Sequence, residues 1–444
     1  MASMKYDVVV VGSGIGGMGA SSLLAHAGYK TALLEKLDIF GGRYTTINYK
    51  GYLITSAAVY LDNPNGPTIQ TLRDIGAENE VILKKPEPYL KYRFNGKDYT
   101  IPEKGGAAAI IEMTAHDHWE RDRVLGALYK ALREEKETPS DEISFAQWLE
   151  QYTDNLSIHK AWDTYAQTIL GMWIREIPAG AFIRSVRAFR KYGSYYMWPK
   201  GHLKTVIDAM KKRVDRNGVS LNRTKVTKIK VNQGKVEGVM AIGPDGKEID
   251  IDAKIVICNA GPKHTVEMAG EANFTAQYMR DLRRSDKPTN GANIFFECDE
   301  PIMDFPGVLN VMDTDRPCSI YTPTMTWADY APPGKHCLWL WQPFPMLFKD
   351  VESEIEKGIN NCRMVFKDFD KRAKVLLTSW FFGDWPLNRS ACGYHLYQTT
   401  PVEGLYNVGD GCSANDTILG EGASESARVV VDMVKKKYQP SVAK

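Results

Sequence analysis

The sequence predicts an α/β fold, α+β overall, in which a discontinuous nucleotide-binding domain carries an inserted domain of mixed sheet and helices. Three observations support this prediction. A short β-branched run near the N-terminus leads into a glycine-rich turn and a helix-prone segment, and a second buried run, KIVICNAGP (residues 254–262), returns to the same sheet. The remaining segments have helical or strand patterns of their own, so we expect them to build a further layer.

The composition limits the class of protein. The 444 residues suffice for two or three domains, and 43% hydrophobic and 25% charged residues indicate a large core. The 56 basic and 54 acidic residues leave a charge of +2, which argues against a nucleic-acid partner. No apolar run reaches the roughly 18 residues of a membrane span, and Met1 leads directly into a strand, so we expect a cytoplasmic protein without a signal peptide. The seven cysteines form no C-x-x-C pair, and we expect no metal.

The first forty residues carry the most specific motif. After the strand YDVVVV, the turn GSGIGG places Gly12, Gly14 and Gly17 at G-x-G-x-x-G spacing. These glycines permit a tight turn, close approach to a pyrophosphate and close helix packing, respectively. The next strand, TALLE, ends in Glu35, 21 residues after Gly14, where a carboxylate can bind a ribose diol. The order of these parts predicts a Rossmann-type dinucleotide site.

The segment IFGGRYTT (residues 39–46) distinguishes FAD from NAD. A simple nicotinamide dehydrogenase has no need of Gly41, Gly42 and Arg43 directly after the Glu35 strand. At this point the sequence resembles the flavin amine oxidase superfamily, in particular its phytoene desaturase and carotenoid dehydrogenase branch. In that family the Gly-Gly-Arg loop wraps the FAD pyrophosphate, and the planar fork of the arginine partly neutralises it. The resemblance implies FAD, bound non-covalently.

Two internal segments resemble the same family. Residues 195–214 are similar to its Pro-x-Gly-Gly stretch, with His202 in place of the second glycine. Residues 218–262 are similar to its β-meander and returning strand, where the resemblance implies that Val226 contacts adenine through its backbone.

Residues 404–434 are similar to the family's closing motif. The resemblance implies that Gly409 and Asp410 hold the ribityl and phosphate portion, and that a helix beginning near Gly420 points at the flavin N1–C2=O edge. A helix N-terminus stabilises the negative charge of reduced flavin. The residues expected to bind the cofactor are Gly12, Gly14, Gly16, Gly17, Glu35, Lys36, Gly42, Arg43, Ala57, Val226, Gly409, Asp410, Ile418, Leu419 and Gly420.

The sequence departs from the family pattern in the stretch GYLITSAAV, which begins at Gly51. The family has an acidic residue and a glycine in this stretch, where Thr55 and Ala57 stand instead. Because this stretch should pass the isoalloxazine ring, we expect an altered flavin environment.

The cofactor domain is expected to be discontinuous, and two insertions are expected to build the substrate domain. The expected limits are 1–85, 196–265 and 395–444 for the FAD domain, and 86–195 and 266–394 for the substrate domain. The first insertion has helical patterns, with Ser144 as an N-cap, and its stretch AWDTYAQTILGMWI (residues 161–174) is expected in the core rather than in a pocket. The second insertion reads as strands.

The expected reaction is oxidation of a C–H bond of a small hydrophobic substrate by hydride transfer to flavin N5, with oxygen, a quinone or another acceptor downstream. No catalytic base is obvious, and the candidates are His202, Tyr394 and His395. Trp380, Trp385 and Tyr394 are candidates for aromatic rings that flank a substrate amine.

Alternatives stay open. Within enzymes they are an amine oxidase that produces peroxide and a non-redox flavin isomerase. The Rab GDP-dissociation inhibitors resemble this fold but bind prenylated partners without FAD, and the intact glycines, Glu35 and Asp410 argue against that class. The run LWLWQPFPMLF (residues 338–348) is expected to be a buried strand, with peripheral membrane contact as the alternative.

Overall fold

The computed structural model describes residues 4–59, 64–193, 195–314, 316, 318–413, 416–417 and 419–441. The strands are β1 (Met4–Lys5), β2 (Val8–Val11), β3 (Thr31–Leu34), β4 (Thr46–Tyr49), β5 (Tyr52–Thr55), β6 (Leu83–Lys84), β7 (Leu90–Phe94), β8 (Lys97–Thr100), β9 (Trp198–Pro199), β10 (Gly218–Leu221), β11 (Lys225–Asn232), β12 (Lys235–Ile242), β13 (Glu248–Asp252), β14 (Ile255–Cys258), β15 (Asn290–Cys298), β16 (Val308–Val311), β17 (Cys318–Tyr321), β18 (His336–Phe344), β19 (Ala373–Phe381) and β20 (Leu405–Asn407). The helices are α1 (Ile15–His26), α2 (Pro67–Asp74), α3 (Gly106–Thr114), α4 (His118–Arg133), α5 (Phe145–Glu150), α6 (Leu156–Leu170), α7 (Ala179–Tyr192), α8 (Lys204–Val214), α9 (Pro262–Ala269), α10 (Ala276–Ser285), α11 (Val351–Val365), α12 (Phe369–Arg372) and α13 (Leu419–Lys437).

A parallel sheet of five strands, in the order β10-β3-β2-β14-β20, joins segments from the start, middle and end of the chain. All four residues of β2 are valines and all are buried, because other elements cover both faces of the sheet. Strands β3 and β10 lie on one side of β2, whereas β14 and β20 lie on its other side, so the direction in which the sheet grows reverses between β2 and β14. Such a switch point opens a crevice beyond the carboxyl ends of the strands. The Rossmann-type architecture predicted from the sequence is confirmed.

Helix α1 packs directly on this sheet because its first turn contains two glycines, Gly16 and Gly17. A Cβ on Gly17 would lie 2.0 Å from the carbonyl oxygen of Gly12, so only glycine permits this approach. The helix ends at His26, and Gly28 just beyond it has a φ of 94°, a conformation that favours glycine. Helices α2, α8 and α13 contact α1 on the same face of the sheet.

A second sheet, in the order β1-β13-β12-β11, covers the opposite face of the parallel sheet. Helices α9 and α10 join it, since Val266 and Leu282 share a core cluster with Val9 and Val11. Helix α9 spans the expected domain limit at residue 265, and α10 lies beyond it. The expected domain limits stay predictions.

The third large sheet is mixed, in the order β19-β15-β18-β17-β16-β7-β8. Helix α6 contacts one face through β16, β17 and β18, and α11 packs on the other. Six residues, one from each of six neighbouring strands, form a line across one face of this sheet, each directly opposite the next. We call them the transverse row: Tyr92, Asn310, Ser319, Trp341, Asn293 and Ser379.

The helices of the first insertion pack around stacked aromatic rings. The ring of Phe145 stacks on that of Phe182 at 3.9 Å and meets Trp162 edge-on. Helix α5 begins at the predicted N-cap, since the Ser144 hydroxyl accepts from the Gln147 N–H and the Gln147 side chain accepts from the Ser144 N–H.

The apolar run at residues 338–348 is for the most part the buried strand that we expect, within β18. Beyond it Leu347 is 94% exposed. Within the described residues, no helix combines the length and apolar character needed to cross a membrane.

Candidate functional site

A cavity of about 910 Å³ opens at the switch point, where the N-termini of α1 and α13 converge. We call it the first cavity. The predicted cofactor residues that line it are Gly14, Gly16, Arg43, Ala57, Asp410, Leu419 and Gly420. Seven other predicted cofactor residues lie behind or beside this lining: Gly12, Gly17, Glu35, Lys36, Gly42, Val226 and Gly409. Ile418 lies outside the described residues.

Asn259 is a central member of this site that the sequence analysis did not select. It directly follows β14, and its N–H donates to the carbonyl of Val11 at 2.8 Å. Its side chain lies 2.6 Å from where a Cβ on Gly14 would be, and 2.8 Å from the corresponding points on Gly16 and Gly409. The glycines at all three positions therefore make room for one amide. Its place after a strand at the switch point is the signal that could have identified it.

Glu35 is held in a fixed position at the end of β3. Its Oε2 accepts from the Ser13 N–H at 2.8 Å and from the Ser13 hydroxyl at 2.7 Å, and its Oε1 accepts from the Leu37 N–H at 2.9 Å. The neighbouring Lys36 is exposed. The buried Val226 lies on β11 close by, since the Thr224 N–H donates to the Glu35 carbonyl at 2.8 Å.

Arg43 and Asp410 form a bidentate ion pair on the wall of the first cavity. Both N–O distances are 2.8 Å, and the same guanidinium donates to the carbonyls of Pro386 and Leu387. Burial raises the pKa of Asp410, but the charges and hydrogen bonds of Arg43 and, to a smaller extent, Arg389 outweigh burial and lower that pKa overall. Arg43 therefore already neutralises Asp410, and its expected contact with a pyrophosphate stays a prediction.

The N-terminus of α13 points into the first cavity, and one of its terminal N–H groups already has a hydrogen-bond partner. The Leu419 N–H donates to Oδ1 of Asn388 at 3.2 Å. The buried Glu421 carboxylate lines the cavity and accepts from the N–H and hydroxyl of Thr68, each at 3.1 Å. A carboxylate is favourable at a helix N-terminus. Glu421 therefore places a carboxyl group where the family resemblance implies only a helix dipole.

The loop after β5 passes along the same cavity, with Ala57 in its lining. Two members of the transverse row hold it: the Asn293 amide donates to the Ala57 carbonyl at 2.9 Å, and the Ser379 hydroxyl donates to the Ser56 carbonyl at 3.2 Å. The Thr55 hydroxyl accepts from the Ala57 N–H at 3.0 Å. The residues that depart from the family pattern thus stabilise a turn of their own.

A second cavity of about 1,260 Å³ lies between helices α3, α4, α6 and α7 and strands β7 and β16. Thr168 on α6 lines both cavities, so they approach each other at its side chain. The lining is mostly aliphatic and aromatic; its aromatic members are Tyr89, Tyr92, Tyr129, Trp162, Tyr165, Phe189, Tyr195 and Tyr196. The expectation that residues 161–174 are core rather than pocket is therefore wrong in part, because α6 turns one side to the core and another to this cavity.

His202 is fully buried, has a φ of 63° and, within the described residues, is not among those lining either cavity. Its Nε2 lies 3.1 Å from the Val59 carbonyl and must carry the proton, so its Nδ1 accepts from the Thr46 hydroxyl at 2.7 Å. Burial lowers its pKa to about 4, against a weaker opposing effect of the Val59 carbonyl. The ring is neutral near pH 7 and holds two backbone segments together, which does not favour proton transfer to a substrate.

Tyr394 and His395 are also absent from the lining of both cavities as described. The Lys287 ammonium covers the Tyr394 ring at 3.8 Å. The side chain of His395 is buried, with its Nδ1 3.6 Å from Asp416.

The aromatic residues beside the first cavity differ from those predicted. Trp380 is 55% exposed, Trp385 packs in a core cluster, and neither lines a cavity in the described part of the chain. Tyr321 and Trp341, from β17 and β18, line the first cavity instead. They come from the second insertion, whose strand register cannot be read from its apolar pattern alone.

Comparisons with known proteins agree with this geometry. A family model described as flavin containing amine oxidoreductase matches residues 15–434. An uncharacterised protein of Methanocaldococcus jannaschii is 26% identical over 428 residues, which cover 96% of this chain and 98% of that protein. A zeta-carotene-forming phytoene desaturase of Myxococcus xanthus is 22% identical over 79% of this chain and 74% of that enzyme. The crystal structure of an oxidoreductase from Methanosarcina mazei, 27% identical, has a TM-score of 0.85 over 97% of this chain and 100% of that chain. The chain belongs to the flavin-containing amine oxidoreductase family.

Proposed function

We propose that this oxidoreductase binds FAD non-covalently in the first cavity and dehydrogenates a CH–CH bond of a small hydrophobic substrate held in the second. Membership of the family supports a flavin enzyme. The choice of FAD, of non-covalent binding and of the bond that is oxidised is our proposal.

The residues of the first cavity fit FAD. The N-cap of α1 is Gly14, with no side chain over the first N–H groups, which leaves them available for a pyrophosphate. The Glu35 carboxylate is already oriented for a ribose diol. No cysteine or histidine lines the cavity among the described residues, which supports non-covalent binding. FAD, when bound, supplies a hydride acceptor at its N5 atom.

The observation that carries the proposal is the position of Thr168, which lines both cavities. The second cavity supplies an apolar enclosure that excludes water and orients a substrate toward the first. Orientation of this kind contributes a large part of the rate in reactions where the enzyme supplies little acid or base chemistry. We assign no catalytic acid or base.

Anaerobic titration of the purified yellow protein tests this proposal. Isoprenoid lipids, cyclic ketones and amines are added in turn while the flavin spectrum is followed. Bleaching by a lipid or a ketone supports the proposal, and bleaching by amines alone contradicts it. Ala107→Trp should fill the second cavity and abolish bleaching while FAD stays bound. Ala108→Trp, at the neighbouring position outside the lining, is the matched control.

Amine oxidation with formation of peroxide is the second candidate. The observation that favours it is the pair of aromatic side chains, Tyr321 and Trp341, that line the first cavity. Oxygen consumption with a panel of amines tests it, and steady turnover would replace the dehydrogenase proposal. A double-bond isomerase would instead turn over without any acceptor.

The electron acceptor and a membrane partner are further parts of the proposal. Comparison of reoxidation rates with oxygen and with a soluble quinone would identify the acceptor. Membrane contact is supported by the exposed Leu347 and Phe382 side chains near the end of the seven-stranded sheet. Vesicle flotation tests it, and a protein that never floats would exclude it.

A further inference from the structure

The second cavity has one end that is open to solvent and one that is closed. Its exposed lining residues are Pro102, Gly105 and Arg190, and we call this end the mouth. At the inner end lie Thr168 and Asn310, which are both buried, and Thr168 also lines the first cavity. A molecule that fills the second cavity therefore has one end at the solvent and the other beside the first cavity.

The polar side chains at the inner end already bind one another. Oδ1 of Asn310 accepts from the Ser319 hydroxyl at 2.8 Å and from the Thr168 hydroxyl at 3.1 Å. The same Asn310 side chain pairs with the buried hydroxyl of Tyr92. A polar head group placed among these residues would lose its water without gaining a free partner. The inner end therefore suits the apolar part of a ligand.

Charged side chains in the described lining of this cavity are Glu103 and Arg190. The Glu103 carboxylate is bound by the ammonium group of Lys85, which also lies 4.6 Å from the ring of Tyr195 in the same lining. The Arg190 guanidinium, by contrast, makes no hydrogen bond or ion pair with any residue that the structure describes. Because arginine stays protonated at neutral pH, the mouth offers a cation that the described chain leaves unpaired.

The position of Arg190 in its helix explains how the fold accommodates an unpaired cation. The residue lies in the last turn of α7, which ends at Tyr192. A cation is favourable at the C-terminal end of a helix, so Arg190 needs no counter-ion of its own for the fold to be stable. Its planar set of N–H donors remains able to bind a carboxylate through two parallel hydrogen bonds.

We propose that the second cavity takes a lipid with a carboxylate head, a fatty or isoprenoid acid, whose apolar chain fills the cavity while its carboxylate pairs with Arg190 at the mouth. The inference rests on the proposed function in taking this cavity as the substrate chamber. The tail of the chain, rather than its head, then faces the first cavity at Thr168. A hydrocarbon would leave Arg190 unused, and an ammonium head would be repelled by it. Arg190 is thus a specificity and positioning residue.

Ligands that share one carbon chain test this inference directly. Dodecanoic acid, dodecanol and dodecylamine are titrated into the purified full-length protein at neutral pH, and binding is followed by calorimetry. The parent should bind the acid most tightly. Arg190→Gln should weaken binding of the acid roughly tenfold and leave that of the alcohol unchanged, because the substitution removes an ion pair. Lys191→Gln, at the neighbouring exposed position outside both cavity linings, makes the same change in net charge and should affect neither.

Two further variants locate the chain and the head of the ligand. Ala107→Trp should abolish binding of the acid and the alcohol alike, since it fills the cavity that holds their chain. Arg190→Glu should reverse the preference, so that the amine binds more tightly than the acid. In the parent, the advantage of the acid over the alcohol should shrink as the salt concentration rises.

The outcomes separate this inference from the proposed function. Equal effects of Arg190→Gln and Lys191→Gln on the acid, equal binding of acid and alcohol by the parent, undiminished binding in Ala107→Trp, or no binding of the acid below about 1 mM would each overturn it. Calorimetry reports binding even if none of the ligands bleaches the flavin. A loss specific to the acid in Arg190→Gln would therefore support the inference when the dehydrogenase proposal fails. Bleaching by a neutral lipid, unchanged in Arg190→Gln, would support the proposed function and contradict the inference.

Discussion

The two cavities differ in how their polar groups are paired. On the wall of the first, the Arg43 guanidinium and the Asp410 carboxylate bind each other, and nearby Glu35 is held by Ser13 before any ligand is present. In the second, the buried Tyr92 hydroxyl pairs with the neutral side chain of Asn310 on the neighbouring strand. A group that binds the same coenzyme in every cycle gains from being oriented in advance.

The largest effect should come from breaking the pair in the first cavity. Arg43→Ala would leave the buried Asp410 carboxylate without its bidentate partner and with only Arg389 as a positive neighbour, so we expect a loss of about 3 kcal/mol in the free energy of unfolding. Chemical denaturation measures it. Arg73→Ala, which breaks the exposed pair with Glu78, is the control and should have no measurable effect. Equal losses of stability in both variants would show that the Arg43–Asp410 pair stabilises the fold no more than an exposed ion pair does.

A second effect of similar size concerns pH. The folded pKa of His202, about 4, lies below its unfolded value near 6.5, so the folded state binds fewer protons. Its contribution to stability is fully present above pH 6.5 and is lost as the pH falls toward 4, by about 3 kcal/mol. His202→Asn, which tolerates the positive φ, should flatten the stability profile in this window. The exposed His26→Gln is the control, and an unchanged profile in His202→Asn would contradict the assignment.

A smaller effect is expected at the ribose end of the first cavity. Glu35→Ala should weaken FAD binding by about 2 kcal/mol, roughly 30-fold, because a charged acceptor is lost. FAD retained during gel filtration and dilution measures the change. Asp38→Ala, an exposed acid nearby, is the control. Equal retention of FAD by Glu35→Ala and the parent would show that the ribose assignment is wrong.

The smallest effect is expected in the second cavity. Tyr92→Phe removes a neutral hydrogen bond with Asn310, so the ligand-free protein should lose about 1 kcal/mol in the free energy of unfolding. Thermal unfolding measures it beside Tyr99→Phe, on the adjacent strand opposite Tyr92, which should be neutral. An unchanged Tm in Tyr92→Phe would mean that the hydroxyl does not serve the fold, and the contrast between charged and neutral pairs would fail.

The sequence predicted the first cavity better than the second for a physical reason. Glycine spacing and Glu35 lie within one continuous strand-turn-helix unit, so local pattern specifies their geometry. Asn259 was missed although it follows a quoted strand, because its importance comes from the switch point between two distant strands. Tyr92 and Asn310 are brought together by the register of β7 and β16, which lie more than two hundred residues apart in sequence and carry no motif.

The candidate catalytic residues show the same limit. His202 and His395 were selected by chemical type and by position beside matched segments, and the structure buries both away from the cavity linings it describes. Side-chain type and nearness along the chain do not determine which way a side chain faces. Only packing between the insertions and the parallel sheet determines it.

The central claim is that one FAD binds without a covalent bond in the first cavity. The protein is purified from flavin-replete cells or reconstituted with FAD, then denatured, and the precipitated chain is separated from the supernatant. The most direct measurement is the amount and identity of the flavin that this supernatant contains. The account predicts one intact FAD per chain in the supernatant, and its loss in a variant such as Gly16→Val, which places a side chain against Asn259 and Gly409. A colourless protein that takes up no FAD, or flavin that stays with the denatured chain, would contradict it.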